Sequence, residues 1–359
     1  MGSKDDIVEY IKSRALEVDK IIYGYLTDKT SARYLENLLG RSGYAYDSKA
    51  LDKSVIEPAK YLLSLGGKRW RPVLMLTIID ALGKDSNDYV EFSIIPEIIH
   101  NATLIHDDIE DRSEVRRGSP AVHMKYGVDI AVNLGDFMFY FPIVALLDSK
   151  KLSSGTKIKM LEIYQKEMLK VTLGQATDIA WHNLLVDPMH VSESEYLQMA
   201  YSKTGVLSSM AAKLGAVLGG ADAKAIEVLG NFGAAIGVAF QLQDDLLNVT
   251  ESGVSESKGG IGEDITEGKI TLLTVYTLSR ATEEDKTRLV SILGMHTTDR
   301  KLINEAVGIL GRYGAADYAK KLEERLIDDA WGKVDKSLPD SESKAMLKSL
   351  VGFLVNRLI

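Results

Sequence analysis

The sequence predicts an all-α protein, a bundle of packed helices with almost no strand. Three observations predict it. Apolar residues recur at intervals of three and four through long stretches of the chain. Only seven prolines are present, and several of them, Pro58, Pro72 and Pro120, stand where a helix could begin. No window alternates with period two and β-branched enrichment. With 359 residues, 45% of them hydrophobic, the chain can bury a large core unaided. The expected organisation is one domain spanning 1–359, made of many packed helices, with residues 1 to about 47 as a helical extension of the same fold.

In chain order, "YLLSL" and "RPVLMLTIIDAL" read as helices on either side of the "GGKRW" turn. "EFSIIPEIIHNATLIHDD" is a third, with Pro96 inside it, which predicts a kink there. "IAVNLGDFMFYFPIVALL" is membrane-like in composition, but Asn133, Asp136 and Pro142 interrupt it. It fits a buried helix carrying a polar site better than a bilayer span. "IKMLEIYQKEMLKVTLGQATDIA" and "IEVLGNFGAAIGVAFQLQDDLLNV" are long helices. "ESGVSESKGGIGEDITEGK", residues 251–269, holds five glycines among polar residues and is the clearest loop.

The net charge of −8 argues against a general nucleic-acid binder. Without cysteine, disulfides and thiolate chemistry are excluded. The start, "MGSKDDIVEYIKSR", is charged and lacks the apolar run of a signal peptide, and a cytoplasmic location is expected.

Chemistry concentrates in two acidic helix ends. In "IHDDIEDRSEVRRG", Asp107, Asp108 and Asp111 fall three and four apart, so their side chains can share one helical face. Acidic groups at a helix C-terminus oppose the helix dipole, so stability alone would not select them. Oxygen ligands without histidine or cysteine suit a hard cation such as Mg²⁺. "FQLQDDLLN" repeats the pattern with Asp244, Asp245 and, in the third place, Asn248. Basic residues lie nearby: Arg116 and Arg117 after the first cluster, Lys68, Arg69 and Arg71 in "GGKRWRP", Lys203 and Thr204 in "YSKTG", then Lys258 and Lys269. Arginine offers bidentate contact to phosphate oxygens, and neighbouring glycines let backbone approach an anion. The chain therefore carries one anion site that needs metal and one that does not.

In this order and spacing the motifs resemble the trans-prenyl diphosphate synthases, the head-to-tail isoprenoid chain elongators. The resemblance implies a homodimer with an all-α cavity, and about three Mg²⁺ ions held by Asp107, Asp108, Asp111, Asp244 and Asp245. It implies that Arg116, Lys203, Lys258 and Lys269 assist at an allylic diphosphate (dimethylallyl, geranyl or farnesyl). Lys68, Arg69, His100 and Arg117 would take isopentenyl diphosphate, with Arg71 in reserve. Lys203, Thr204, Gln241, Asp107 and Asp244 are the expected catalytic residues, with Gln175 near the cavity, Asp178 supporting them, and His106 structural. Two departures from the family pattern stand out: Asn248 replaces an aspartate, and the loop lysine falls at Lys258 rather than one residue later.

Product length, by the same resemblance, is set below the first aspartates. Thr103 and Ala102, four and five residues before Asp107, lie about one turn deeper and are small, with Ile99, Met138, Phe139 and Phe141 as the next layer. That implies geranylgeranyl diphosphate or a longer product. A terpene cyclase and a non-catalytic subunit of a heteromeric synthase are the alternatives. The first does not need a metal-free basic site, and the second would be expected to have lost metal-binding aspartates.

Overall fold

A computed structural model describes residues 4–249 and 262–355. Its principal helices are α1 (Lys4–Tyr25), α2 (Trp70–Ala81), α3 (Ile94–Glu110), α4 (Val128–Tyr140), α5 (Ser154–His182), α6 (Val206–Leu218), α7 (Ala223–Val249), α8 (Ala315–Ser337) and α9 (Glu342–Val355). Further helices, Glu283–Gly294 and Arg300–Arg312 among them, and turns connect them. Among the described residues the only sheet is a hairpin pairing Val115–Arg116 with Ser119–Pro120. Its two-residue turn, Arg117–Gly118, has positive φ at both positions (53° and 74°), as a primed hairpin turn requires.

Helix α6 is the central pillar. Every residue in it except Val217 is buried, which is the pattern of a helix apolar on all sides. It packs against α2, α5 and α7, and α7 in turn packs against α8. The N-terminal helix α1 packs on α2 and α9, placing Ile7 and Ile11 in the same core cluster as Val351 and Leu354.

Two details depart from the sequence-based expectation. Pro96 does not kink a helix: a 3₁₀ stretch, Ser86–Ser93, precedes it, and Pro96 sits in the first turn of α3, where no intrahelical N–H is needed. The described end of the glycine-rich segment is also not loop throughout, since Glu263–Thr266 forms a helical turn entered through left-handed Gly262 (φ 88°).

Between α5 and α6 the chain widens into a single π turn, Tyr201–Gly205, closed by Val206 N–H donating to Tyr201 O. Such widened turns recur at functional sites. Gly174 of α5 is pressed against it: a Cβ there would lie 2.3 Å from the Lys203 backbone nitrogen. Only glycine allows α5 to come this close.

Candidate active site

A cavity of about 1520 Å³ lies between α2, α3, α5, the π turn, α7, the segment 263–271 and α9. From α3 it is lined by His100, Thr103, Leu104, Asp107, Glu110 and Asp111, and from α7 by Phe240, Gln241, Asp244, Asp245, Leu247 and Asn248. The two acidic helix ends thus share one hollow. Among the described residues, ten acidic side chains line it against six from lysine and arginine. That surplus of negative charge calls for a cation.

The acidic pole is cross-braced by lysines. Lys203 Nζ lies 2.6 Å from Asp178 Oδ2 and 3.2 Å from Asp107 Oδ1. Lys269 Nζ lies 2.9 Å from Asp111 Oδ2 and also pairs with Glu267. Burial alone would push the Asp107 carboxyl up, but Lys203, Lys269 and Arg116 hold it well below the usual carboxylate range. Burial would likewise lower the two lysines, yet their carboxylate partners raise both. Glu267 is pushed up to about 7, chiefly by burial. Asp111 Oδ1 is buried without a hydrogen-bond partner, which leaves an oxygen available to a metal ion.

On the opposite helix, Asp245 accepts hydrogen bonds at both oxygens, from Tyr196 at 2.7 Å and from Gln241 Nε2 at 2.9 Å. Gln241 Oε1 accepts from Thr204 Oγ1 at 2.9 Å. Burial raises Asp245 to about 6 despite those donors. This chain of bonds fixes the Thr204 hydroxyl and the Gln241 amide on the cavity wall. Asn248 has lost the charge of an aspartate but anchors the next segment, its Oδ1 accepting from Asp264 N at 3.1 Å.

A second pole is cationic. Lys68, Arg71, His100 and Arg117 line the cavity there. Burial first, then Arg71 and Arg117, drive His100 well below its ordinary value, so its imidazole is neutral, and its Nδ1 is buried without a hydrogen-bond partner. Arg71 lies over the Trp70 ring, 4.5 Å from its centroid. A site of cationic donors around a neutral histidine suits an anion without metal.

A polyprenyl synthetase family model matches residues 52–310. The chain belongs to the polyprenyl synthetase family. It is 36% identical over 308 residues to the short chain isoprenyl diphosphate synthase of Methanothermobacter thermautotrophicus, covering 85% of this chain and 91% of that one. To the geranylgeranyl diphosphate synthase of Saccharolobus solfataricus it is 34% identical over 311 residues, 85% and 91% of the two chains. The crystal structure of geranylgeranyl pyrophosphate synthetase from Pyrococcus horikoshii superposes with a TM-score of 0.84 at 30% identity, over 98% of this chain and 99% of that one.

Within this polyprenyl synthetase, several sequence-based expectations need correction. Arg69 does not line the cavity; it is 3% exposed and bound to Asp19 and Glu97, while Arg71 takes the cavity position. Arg69 precedes α2 with a left-handed backbone (φ 49°), and its side chain turns to Asp19 and Glu97 instead of the cavity. Asp108 is 1% exposed and paired with Arg116 rather than lining the hollow with Asp107 and Asp111. Thr103 reaches the wall, but Ala102 and Ile99 are fully buried in the core behind it, as are Met138 and Phe141. Phe139 does reach it, stacked 5.2 Å from His106, which is itself a lining residue. Lys258 lies outside the described residues.

Other lining residues escaped the sequence reading. Tyr196 stands seven positions before Lys203, one helical face away, and that spacing was its only signal. Gln175 Nε2 donates to Glu110 at 2.6 Å, giving Glu110 a place beside the aspartates. Ile7 and Phe353 come from the two ends of the chain and carry no local motif.

Proposed function

We propose that the enzyme condenses isopentenyl diphosphate with an allylic diphosphate, head to tail, giving a trans-polyprenyl diphosphate of geranylgeranyl length or longer. One observation carries the reading: an acid-rich group of side chains and a cation-rich group line the same hollow. The first suits a diphosphate held through metal, the second a diphosphate held without it. A cyclase has no need of the second.

Asp107, Asp111 and Asp244 are the residues that would hold Mg²⁺, about three ions in all. Among the described residues no three acidic or histidine side chains converge closely enough to hold an ion alone, so bound ions would take further ligands from water and from diphosphate oxygens. Bound magnesium would neutralise the leaving diphosphate. Lys203, Lys269 and Arg116 hold that diphosphate as its bond to the allylic carbon breaks. Lys68, Arg71, His100 and Arg117 hold isopentenyl diphosphate so that its double bond meets the allylic cation. The fixed Thr204 and Gln241 oxygens face that cation, and the new product sheds a proton to the departed diphosphate. The apolar wall of Leu104, Phe139, Val171 and Leu207 takes the growing chain and keeps water from the cation.

Homodimerisation belongs to the same reading. Val128 and Val132 on α4 and Ile158, Leu169 and Leu173 on α5 are exposed apolar side chains, and 158, 169 and 173 fall on one helical face. A cytoplasmic setting is compatible with the cysteine-free sequence. The test is incubation of purified protein with Mg²⁺, farnesyl diphosphate and radiolabelled isopentenyl diphosphate, with light scattering for the dimer. Labelled linear product of geranylgeranyl length or more is expected; turnover that ignores isopentenyl diphosphate, or none at all, refutes the reading.

A further inference from the structure

Arg69 stands between two cavity-lining residues, Lys68 and Arg71, yet its guanidinium is spent on protein. Its Nε donates to Asp19 Oδ1 at 2.8 Å, its Nη1 to Glu97 Oε1 at 2.9 Å and Gly66 O at 3.2 Å, and its Nη2 to Leu63 O at 2.9 Å. Its left-handed backbone is one that a side-chain-bearing residue keeps only when its surroundings enforce it. Arg117, left-handed as well (φ 53°), donates to the same Gly66 carbonyl. Gly67 lies against both guanidinium groups: a Cβ there would be 2.6 Å from Arg69 Nη1 and 3.2 Å from Arg117 Nη2.

Glu97 supplies the negative charge these arginines need. It is 2% exposed, also accepts from Asn101 Nδ2 at 2.8 Å, and lies one turn before His100 on α3. The Arg69–Glu97 contact therefore ties the "GGKRW" turn to the helix that carries both His100 and Asp107, and Asp19 ties it to α1. Donors held in place before a ligand arrives lose less freedom on binding it.

We propose that Arg69 and Glu97 form a positioning pair that holds Lys68 and Arg71 at the metal-free diphosphate pole and so sets the affinity for the isopentenyl substrate without touching it. This rests on the assignment of that pole to isopentenyl diphosphate. The test uses full-length protein and two readouts: calorimetry with inorganic pyrophosphate in EDTA, and the KM for each substrate with Mg²⁺. R69K keeps the charge but loses the fork. It is expected to weaken metal-free pyrophosphate binding and raise the isopentenyl KM about tenfold, with the allylic KM within about twofold. E97A is expected to do the same, and E97Q, which keeps an acceptor oxygen, to recover most of the loss. Unchanged binding in R69K, or both KM values rising together, overturns the proposal. If R69K shows no cooperative melt, D19A removes only the outer contact; a normal melt with an isopentenyl KM raised about threefold supports the pair, and an unchanged KM overturns it. Wild-type protein that binds pyrophosphate in EDTA but condenses nothing refutes the functional reading while leaving the pair standing.

Discussion

Replacing Lys203 with methionine keeps the apolar stem of the side chain and removes its ammonium. That ammonium lies 2.6 Å from Asp178 and 3.2 Å from Asp107, so two carboxylates fix it before any ligand arrives. At about 3 Å and an effective dielectric of about 20, unit charges attract by about 5 kcal/mol each, before desolvation is subtracted. A cation so fixed at the point where negative charge develops contributes about 3–4 kcal/mol to the transition state, or about 10²–10³ in rate. Rapid-quench single turnover with farnesyl diphosphate, radiolabelled isopentenyl diphosphate and saturating Mg²⁺ reads the chemical step directly. The expected result is a loss of that size in K203M with the isopentenyl KM within about twofold, because Lys68 and Arg71 belong to different elements. A loss below about fivefold, or one confined to the isopentenyl KM, would refute the argument that Lys203 acts on the leaving group.

Other outcomes follow from the same structure. Gly174→Ala sets a Cβ 2.3 Å from the Lys203 backbone, so differential scanning calorimetry is expected to find about 1–3 kcal/mol of destabilisation together with a fall in kcat. Thr103→Phe projects into the cavity and should shorten the product seen by reversed-phase chromatography, whereas Ala102→Phe overpacks the core and lowers the melting temperature without shortening it. Buried Glu323 is pushed from 4.5 up to about 7, mainly by burial and then by Glu324. A carboxyl raised on folding contributes its stability below about pH 4.5 and loses it as pH rises through about 7, a penalty of about 3 kcal/mol at pH 8. E323Q should therefore melt close to wild type at pH 5 and about 4 °C above it at pH 8, and parallel curves across that range would count against the assignment.

Helices and acidic ends were legible because periodicity and like-charge crowding are local signals. The spacing of Asp107 and Asp111, four apart, placed both on one face, and the structure keeps them there. The same spacing could not say which neighbour Arg116 would take, and it takes Asp108. Arg69 and Arg71 were confused for a related reason: Arg69 has a left-handed backbone and its side chain turns to Asp19 and Glu97, and no residue type announces it. Tyr196, Ile7 and Phe353 reach the cavity only through packing of distant segments, which a local reading does not see.

The π turn at Tyr201–Gly205 has a consequence for how this protein tolerates change. Deleting one residue there would restore ordinary helical winding but rotate all of α6 by about 100° relative to the helix Glu193–Ala200 that leads into it. Because almost every side chain of α6 is packed, that rotation would wreck the interior. The extra residue that sets Lys203 and Thr204 side by side at the hollow is thus welded into the scaffold. Single substitutions can reshape the walls of the hollow one side chain at a time, while this irregularity cannot be removed without repacking the interior.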